Sequence, residues 1–128
     1  MNRGAVQPNA TLMRIYVSEG AHRGRQPAFD AIVHALAKAS FADVVVFKGI
    51  EGFGGHRRVS SANQVDAFGV MPILLEVVDD DAKIRAFLPK LETILDRGLV
   101  TLERVETIVY RAHDSLRAEP EGKGGPKL

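Results

Sequence analysis

The chain has 128 residues, 45% of them hydrophobic and 26% charged, with a formal net charge of +1 and no cysteine. That length suits one domain with a real core, and the near-zero charge gives no global field to recruit nucleic acid or an anionic membrane. The lack of cysteine excludes disulfides, thiolate metal sites and cysteine nucleophiles, and fits a reducing, cytoplasmic location.

Residues 1–11 are polar and small, lack the apolar core of a secretion signal, and read as a disordered N-terminus. Leu12 to Val17 alternates, with Leu12, Arg14 and Tyr16 on one side and Met13, Ile15 and Val17 on the other. This predicts a strand with one buried face and one more polar face. Ser18 to Gln26 reads as a loop, and Pro27 suits the first turn of a helix, where its missing N–H does no harm. Ala28, Phe29, Ile32, Val33, Leu36 and Ala37 then recur at helical spacing, up to a stop near Ser40.

Val44 to Phe47 is a β-branched run and predicts a second strand. A glycine-rich loop follows, and Val59 to Gly69 is polar without a clear period. Pro72 to Val78 predicts a third strand, whose continuous apolarity suggests a central position. Asp79, Asp80 and Asp81 offer a helix cap and negative charge at a helix start. Consecutive carboxylates point in different directions, so capping is preferred over a divalent cation site. Ile84, Phe87, Leu88, Leu91, Ile94 and Leu95 form a helical stripe ending near Gly98, and Pro89 inside it should kink the helix or force a local defect. Val105 to Tyr110 predicts the fourth strand, and residues 112–128 read as a disordered tail.

The order strand, helix, strand, strand, helix, strand predicts an α+β, ferredoxin-like domain over residues 12–111. Two helices would cover one face of a four-stranded antiparallel sheet. Strands two and three are apolar on both faces, so the open face is expected to be hidden in an oligomer.

The stretch Gly49-Ile50-Glu51-Gly52-Phe53-Gly54-Gly55-His56-Arg57-Arg58 places four glycines and three potentially cationic side chains in ten residues. Glycine-rich backbone can turn N–H groups toward an anion, and His56, Arg57 and Arg58 add charge. The bland alternative is an exposed loop with solvated charges. The stretch is neither a Walker loop nor a dinucleotide fingerprint. Gly52, Gly54 and Gly55 are assigned to backbone shape, and Phe53 to a packing anchor or a partner contact. Glu51 is either a partner for Arg57 or Arg58 or a solvated charge. Arg14 and Glu19 bracket Tyr16, either as an edge pair on the solvated face or with Arg14 turned to a ligand. His22, His34, His56 and His113 lack metal-ligand spacing, so no metal site is expected. Phe29, Phe41 and Phe87 are expected in the core.

Gly52-Phe53-Gly54, directly after the second strand, resembles the Lys-Gly-Phe-Gly opening of the T-loop of PII signalling proteins. Met71 to Asp80 is similar to their third strand and its turn into the second helix. A closer match is a PII-like bacterial family, domain of unknown function 190, carried by Arg14-Ile15-Tyr16, by Gly49 to Gly54, and by Gly98-Leu99-Val100-Thr101-Leu102-Glu103. The resemblance implies a homotrimer that binds adenine nucleotides in clefts between subunits and regulates a membrane transporter or channel through the loop. Gly49, Glu51 to Arg58 and Arg14 would be the ligand-binding residues, with no catalytic residue and no cofactor beyond the nucleotide effector. No nucleic-acid partner and no membrane insertion are expected.

Departures from the PII pattern are visible. Gly55 and His56 replace its Arg-Gln pair, Thr101-Leu102-Glu103-Arg104 stands near its phosphate loop, and Ile108 and Tyr110 replace strand arginines, with Arg111 close by. These changes argue against a triphosphate held in the PII manner and leave a smaller nucleotide, another anion or no ligand. Two alternatives stay open: a small enzyme of the dimeric α+β barrel type, and a ligand-free interaction subunit.

Overall fold

In the computed structural model, residues 6–49, 51–52, 60–61 and 71–110 are described, with the backbone alone at 51–52 and 60–61. Strand β1 spans Val6–Ser18, helix α1 Ala28–Lys38, strand β2 Val45–Lys48, strand β3 Pro72–Asp80, helix α2 Asp81–Glu92 and strand β4 Leu99–Ile108. The sheet order is β2-β3-β1-β4, and every neighbouring pair is antiparallel. The expected ferredoxin-like architecture is present, and the apolar third strand is central as its sequence indicates.

The alternation in β1 sets the layers. Met13, Ile15 and Val17 are buried, as are their neighbours Ile73, Leu75 and Val77 on β3. Ile32 and Leu36 of α1 and Ile84, Phe87 and Leu91 of α2 close over them. Phe41 meets Phe87 edge-on at 5.4 Å and 78°, a favoured aromatic geometry. Truncating one of these fully buried aliphatic side chains to alanine costs about 2–5 kcal/mol.

Several boundaries differ from expectation. The first strand begins at Val6, so residues 6–11 of the expected disordered N-terminus are strand. They are ordered by β4, against which Val6 lies opposite Ile108 and Gln7 opposite Thr107. A register shift between Gln7 and Ala10 takes up Pro8 and Asn9, the latter at φ 64°, so a proline and a left-handed asparagine are accommodated in one irregularity. The fourth strand begins at Leu99, six residues before Val105. Val100 and Leu102 pack against the core there while Thr101 and Glu103 face the other way. Within Ser18 to Gln26, His22 and Arg23 form a short bridge back to Pro27 and Gln26.

The aspartate cap also differs. Asp80 is the N-cap of α2 but makes no side-chain cap bond. Asp79 Oδ1 instead accepts the Asp80 N–H at 2.7 Å, and Asp81 Oδ1 accepts the Thr11 hydroxyl at 2.6 Å. Pro89 sits exposed inside α2, which continues to Glu92 and then tightens, with Thr93 N–H donating to the Lys90 carbonyl. The tail at 112–128 lies outside the described residues.

Candidate functional site

The glycine-rich segment leaves the sheet through a defined neck. The Gly49 N–H donates to the Pro72 carbonyl at 2.7 Å, and the Glu19 N–H to the Met71 carbonyl at 2.7 Å. Lys48 Nζ reaches Glu19 Oε2 at 2.9 Å. A Cβ at Gly49 would lie 2.5 Å from Pro72 Cγ, closer than real carbon contacts allow, so glycine is needed where the two ends converge. Beyond the neck, Glu51 pairs opposite Ser61 and Gly52 opposite Ser60. Backbone bonds therefore bring the two ends of the segment together as a stem. Phe53, Gly54, Gly55, His56, Arg57 and Arg58 lie outside the described residues.

The second feature is the sheet face away from the helices. The strand registers stack its side chains into rows. Phe47, Leu74, Tyr16 and Leu99 form one row across all four strands, and Val45, Glu76, Arg14 and Thr101 form the next. Val78, Leu12 and Glu103 form a third across three strands. Leu99 is 58% exposed, Val45 50%, Phe47 47% and Val78 45%, whereas Ile15 and Leu75, on the helix side of the same strands, are at 0%. Scattered exposed apolar residues are ordinary, but an apolar row that crosses all four strands, beside a row that carries Glu76, Arg14 and Thr101, marks an interaction surface.

Arg14 sits in the middle of that face. Its Nε donates to Glu76 Oε2 at 2.9 Å, and Nη1 lies 3.6 Å from Glu103 Oε1. The hydrogen bond to Glu76 first, then the charges of Glu76 and Glu103, raise the arginine further above its ordinary value. Arg14 is thus on a central strand, and Glu19 binds Lys48 instead, so the expected edge pair between Arg14 and Glu19 does not form. Its guanidinium is already matched by two carboxylates within the chain.

Of the expected ligand residues, the fold places Gly49, Glu51 and Gly52 together along the stem and Arg14 apart on the open face. Glu76, Glu103 and Lys48 were not anticipated. Glu76 carried a signal, as the only charged residue in the run Ile73 to Val78. Among the described residues no group of three or more His, Asp or Glu side chains is placed to hold a metal ion, and no helix is long and apolar enough to cross a membrane. An apolar row beside the Arg14–Glu76–Glu103 charge cluster suits contact with another surface.

Comparison with known proteins agrees with this architecture. The model of the DUF190 family (Uncharacterized ACR) matches residues 10–107. The chain belongs to that family and has a PII-like fold. It is 30% identical over 97 residues to the UPF0166 protein MJ1524 of Methanocaldococcus jannaschii, covering 73% of this chain and 86% of the relative. It is also 30% identical over 95 residues to a UPF0166 protein of Aquifex aeolicus, covering 74% and 93%. Among solved structures, a putative PII-like signaling protein (TTHA0516) from Thermus thermophilus superposes with a TM-score of 0.60 at 15% identity, covering 80% of this chain and 92% of the other. CPII, a nitrogen regulatory PII-like protein from Thiomonas intermedia bound to ADP, AMP and bicarbonate, superposes at 0.52 and 17% identity, covering 80% and 91%.

Proposed function

We propose that this protein is a PII-like regulatory protein, not an enzyme, that assembles as a homotrimer and responds to a small anionic ligand between its subunits. The observation that carries the reading is the apolar open face beside a loop stem rooted in the same sheet: covering the face with other subunits brings each stem to a subunit boundary. The ligand is an adenine nucleotide smaller than ATP, because the positions that grip a triphosphate in PII proteins hold Thr101 to Arg104, Ile108 and Tyr110 here. The ADP and AMP bound by CPII favour the same class. Arg57, Arg58 and His56 supply charge to the ligand, Phe53 anchors the loop, and the ordered loop engages a membrane transporter or channel from the cytoplasmic side. The mechanism is a population shift, in which ligand favours the loop arrangement that it binds better.

Titration calorimetry with AMP, ADP and ATP on the wild type and on the Arg57→Ala, Arg58→Ala double variant tests this. Hydrogen bonds to charged groups are worth roughly 1.5–3 kcal/mol net, so the variant should bind about tenfold or more weakly with the assembly intact. Equal affinities would remove both arginines from the site. Failure of all three nucleotides, with the assembly still formed, would favour the ligand-free interaction subunit.

A further inference from the structure

A groove of about 380 Å³ lies on the opposite side of the molecule, between α1 and α2. Its floor is apolar, built on Phe41, Phe87 and Ala86, and Lys38, Lys83 and Lys90 line it. The spacing of Lys83, Ala86, Phe87 and Lys90 puts all four on one face of α2. Lys83 has an internal role: its Nζ donates to the Ser40 carbonyl at 2.6 Å, sits 4.7 Å above the Phe41 ring and lies 3.6 Å from Asp79 Oδ2. Lys38 and Lys90 are exposed and pair with no carboxylate among the described residues. Two unmatched cations beside one partly matched one make a local positive patch on a chain whose net charge is only +1.

We propose that this groove docks an acidic peptide segment of a partner protein, with one apolar side chain seated on the Phe41–Phe87 floor and carboxylates meeting Lys38 and Lys90. The groove's shape and charge favour a peptide over a membrane. A bilayer selects protruding apolar side chains beside cations. The exposed large hydrophobic residues among those described lie instead on the sheet strands and just beyond β4, and none is on either helix. A concave apolar floor within a cationic rim matches a peptide with an apolar anchor and acidic flanks. The surface is separate from the loop stem and the open sheet face, so it stands or falls independently of the nucleotide reading.

The test uses the full chain and a fluorescein-labelled hexapeptide of sequence EDLFED, with QNLFQN as the neutral control. Anisotropy should show binding of EDLFED that weakens with salt, with little binding of QNLFQN. Amide shifts in labelled protein should concentrate at Ala35 to Phe41 and Lys83 to Lys90. Lys38→Glu with Lys90→Glu should lower affinity by about tenfold or more, with unchanged melting and sedimentation. If that variant fails to fold, Lys38→Gln with Lys90→Gln serves, and a smaller loss in the same direction is expected. Equal binding by either variant, shifts centred on the sheet face, or no binding of EDLFED would overturn the proposal. Preferential binding to phosphatidylglycerol vesicles, lost in the same variant, would assign the groove to membrane instead.

Discussion

Gly98 shows how a single position can be fixed by its neighbours. A Cβ there would lie 2.8 Å from the Tyr16 carbonyl oxygen of β1, a backbone atom that cannot swing aside. Gly98→Ala should therefore destabilise the fold by about 1–3 kcal/mol, the usual cost of overpacking, seen as a lower urea midpoint with an unchanged slope. A midpoint equal to wild type would mean that the strand start relaxes freely. Thr11 makes a different kind of contact, since it is buried and donates its hydroxyl to Asp81. That hydrogen bond first, then the bond and charge of Arg85, hold the Asp81 carboxyl below the usual carboxylate range. A lowered folded value stabilises the native state above the ordinary carboxylate pKa of about 3.9, and the benefit is lost as pH falls through the folded value. Thr11→Val should raise the Asp81 titration, followed by carboxyl carbon NMR, and lower stability at neutral pH. The gap between variant and wild type should narrow below about pH 4. An unmoved Asp81 titration would remove the hydroxyl as the cause.

At the scale of elements, the legible parts of the sequence were those whose pattern is local. Met13, Ile15 and Val17 alternate within one strand, and the stripe Ile84, Phe87, Leu91 repeats within one helix, so both were readable without knowing the fold. Val6 to Ala10 was not, because Pro8 and Asn9 argue against a strand and its cause lies about a hundred residues away in β4. The start of β4 was hidden for a related reason: Thr101, Glu103 and Arg104 look like loop composition until the sheet supplies a face for them. The neck shows the same limit, since Gly49 was visible as a glycine but its contact with Pro72 was not. The Arg14–Glu76 bond likewise joins residues far apart in the chain. Pro89 was legible as a conflict, and α2 carries it at an exposed position. Proline is worth about 3 kcal/mol less than alanine inside a helix, partly offset by the roughly 0.4–1 kcal/mol by which it restricts the unfolded chain. Pro89→Ala should thus stabilise the protein by about 2–2.5 kcal/mol, read as a higher melting temperature. A lower melting temperature would mean that the ring makes contacts that outweigh the restored hydrogen bond.

For the whole molecule the decisive surface is the open sheet face, where Phe47, Leu74, Tyr16 and Leu99 cross every strand in one row. Phe47 is on the edge strand and 47% exposed, so replacing it should leave the core beneath the helices intact. Phe47→Asp would force an unpaired carboxylate into any interface that covers the row, and an uncompensated buried charge costs about 3–5 kcal/mol. If the assembly is the proposed trimer, association should weaken by about a hundredfold or more, so that sedimentation changes from trimer to monomer at micromolar concentration while circular dichroism stays native. Ligand binding should follow assembly. A nucleotide held between subunits binds only the assembled form and raises its apparent stability by mass action, so ADP should protect wild type against thermal unfolding and give the monomeric variant nothing. A variant that remains trimeric would put the interface elsewhere on the molecule. A monomer still protected by ADP would move the nucleotide out of the cleft, and a wild-type dimer would favour the α+β barrel alternative.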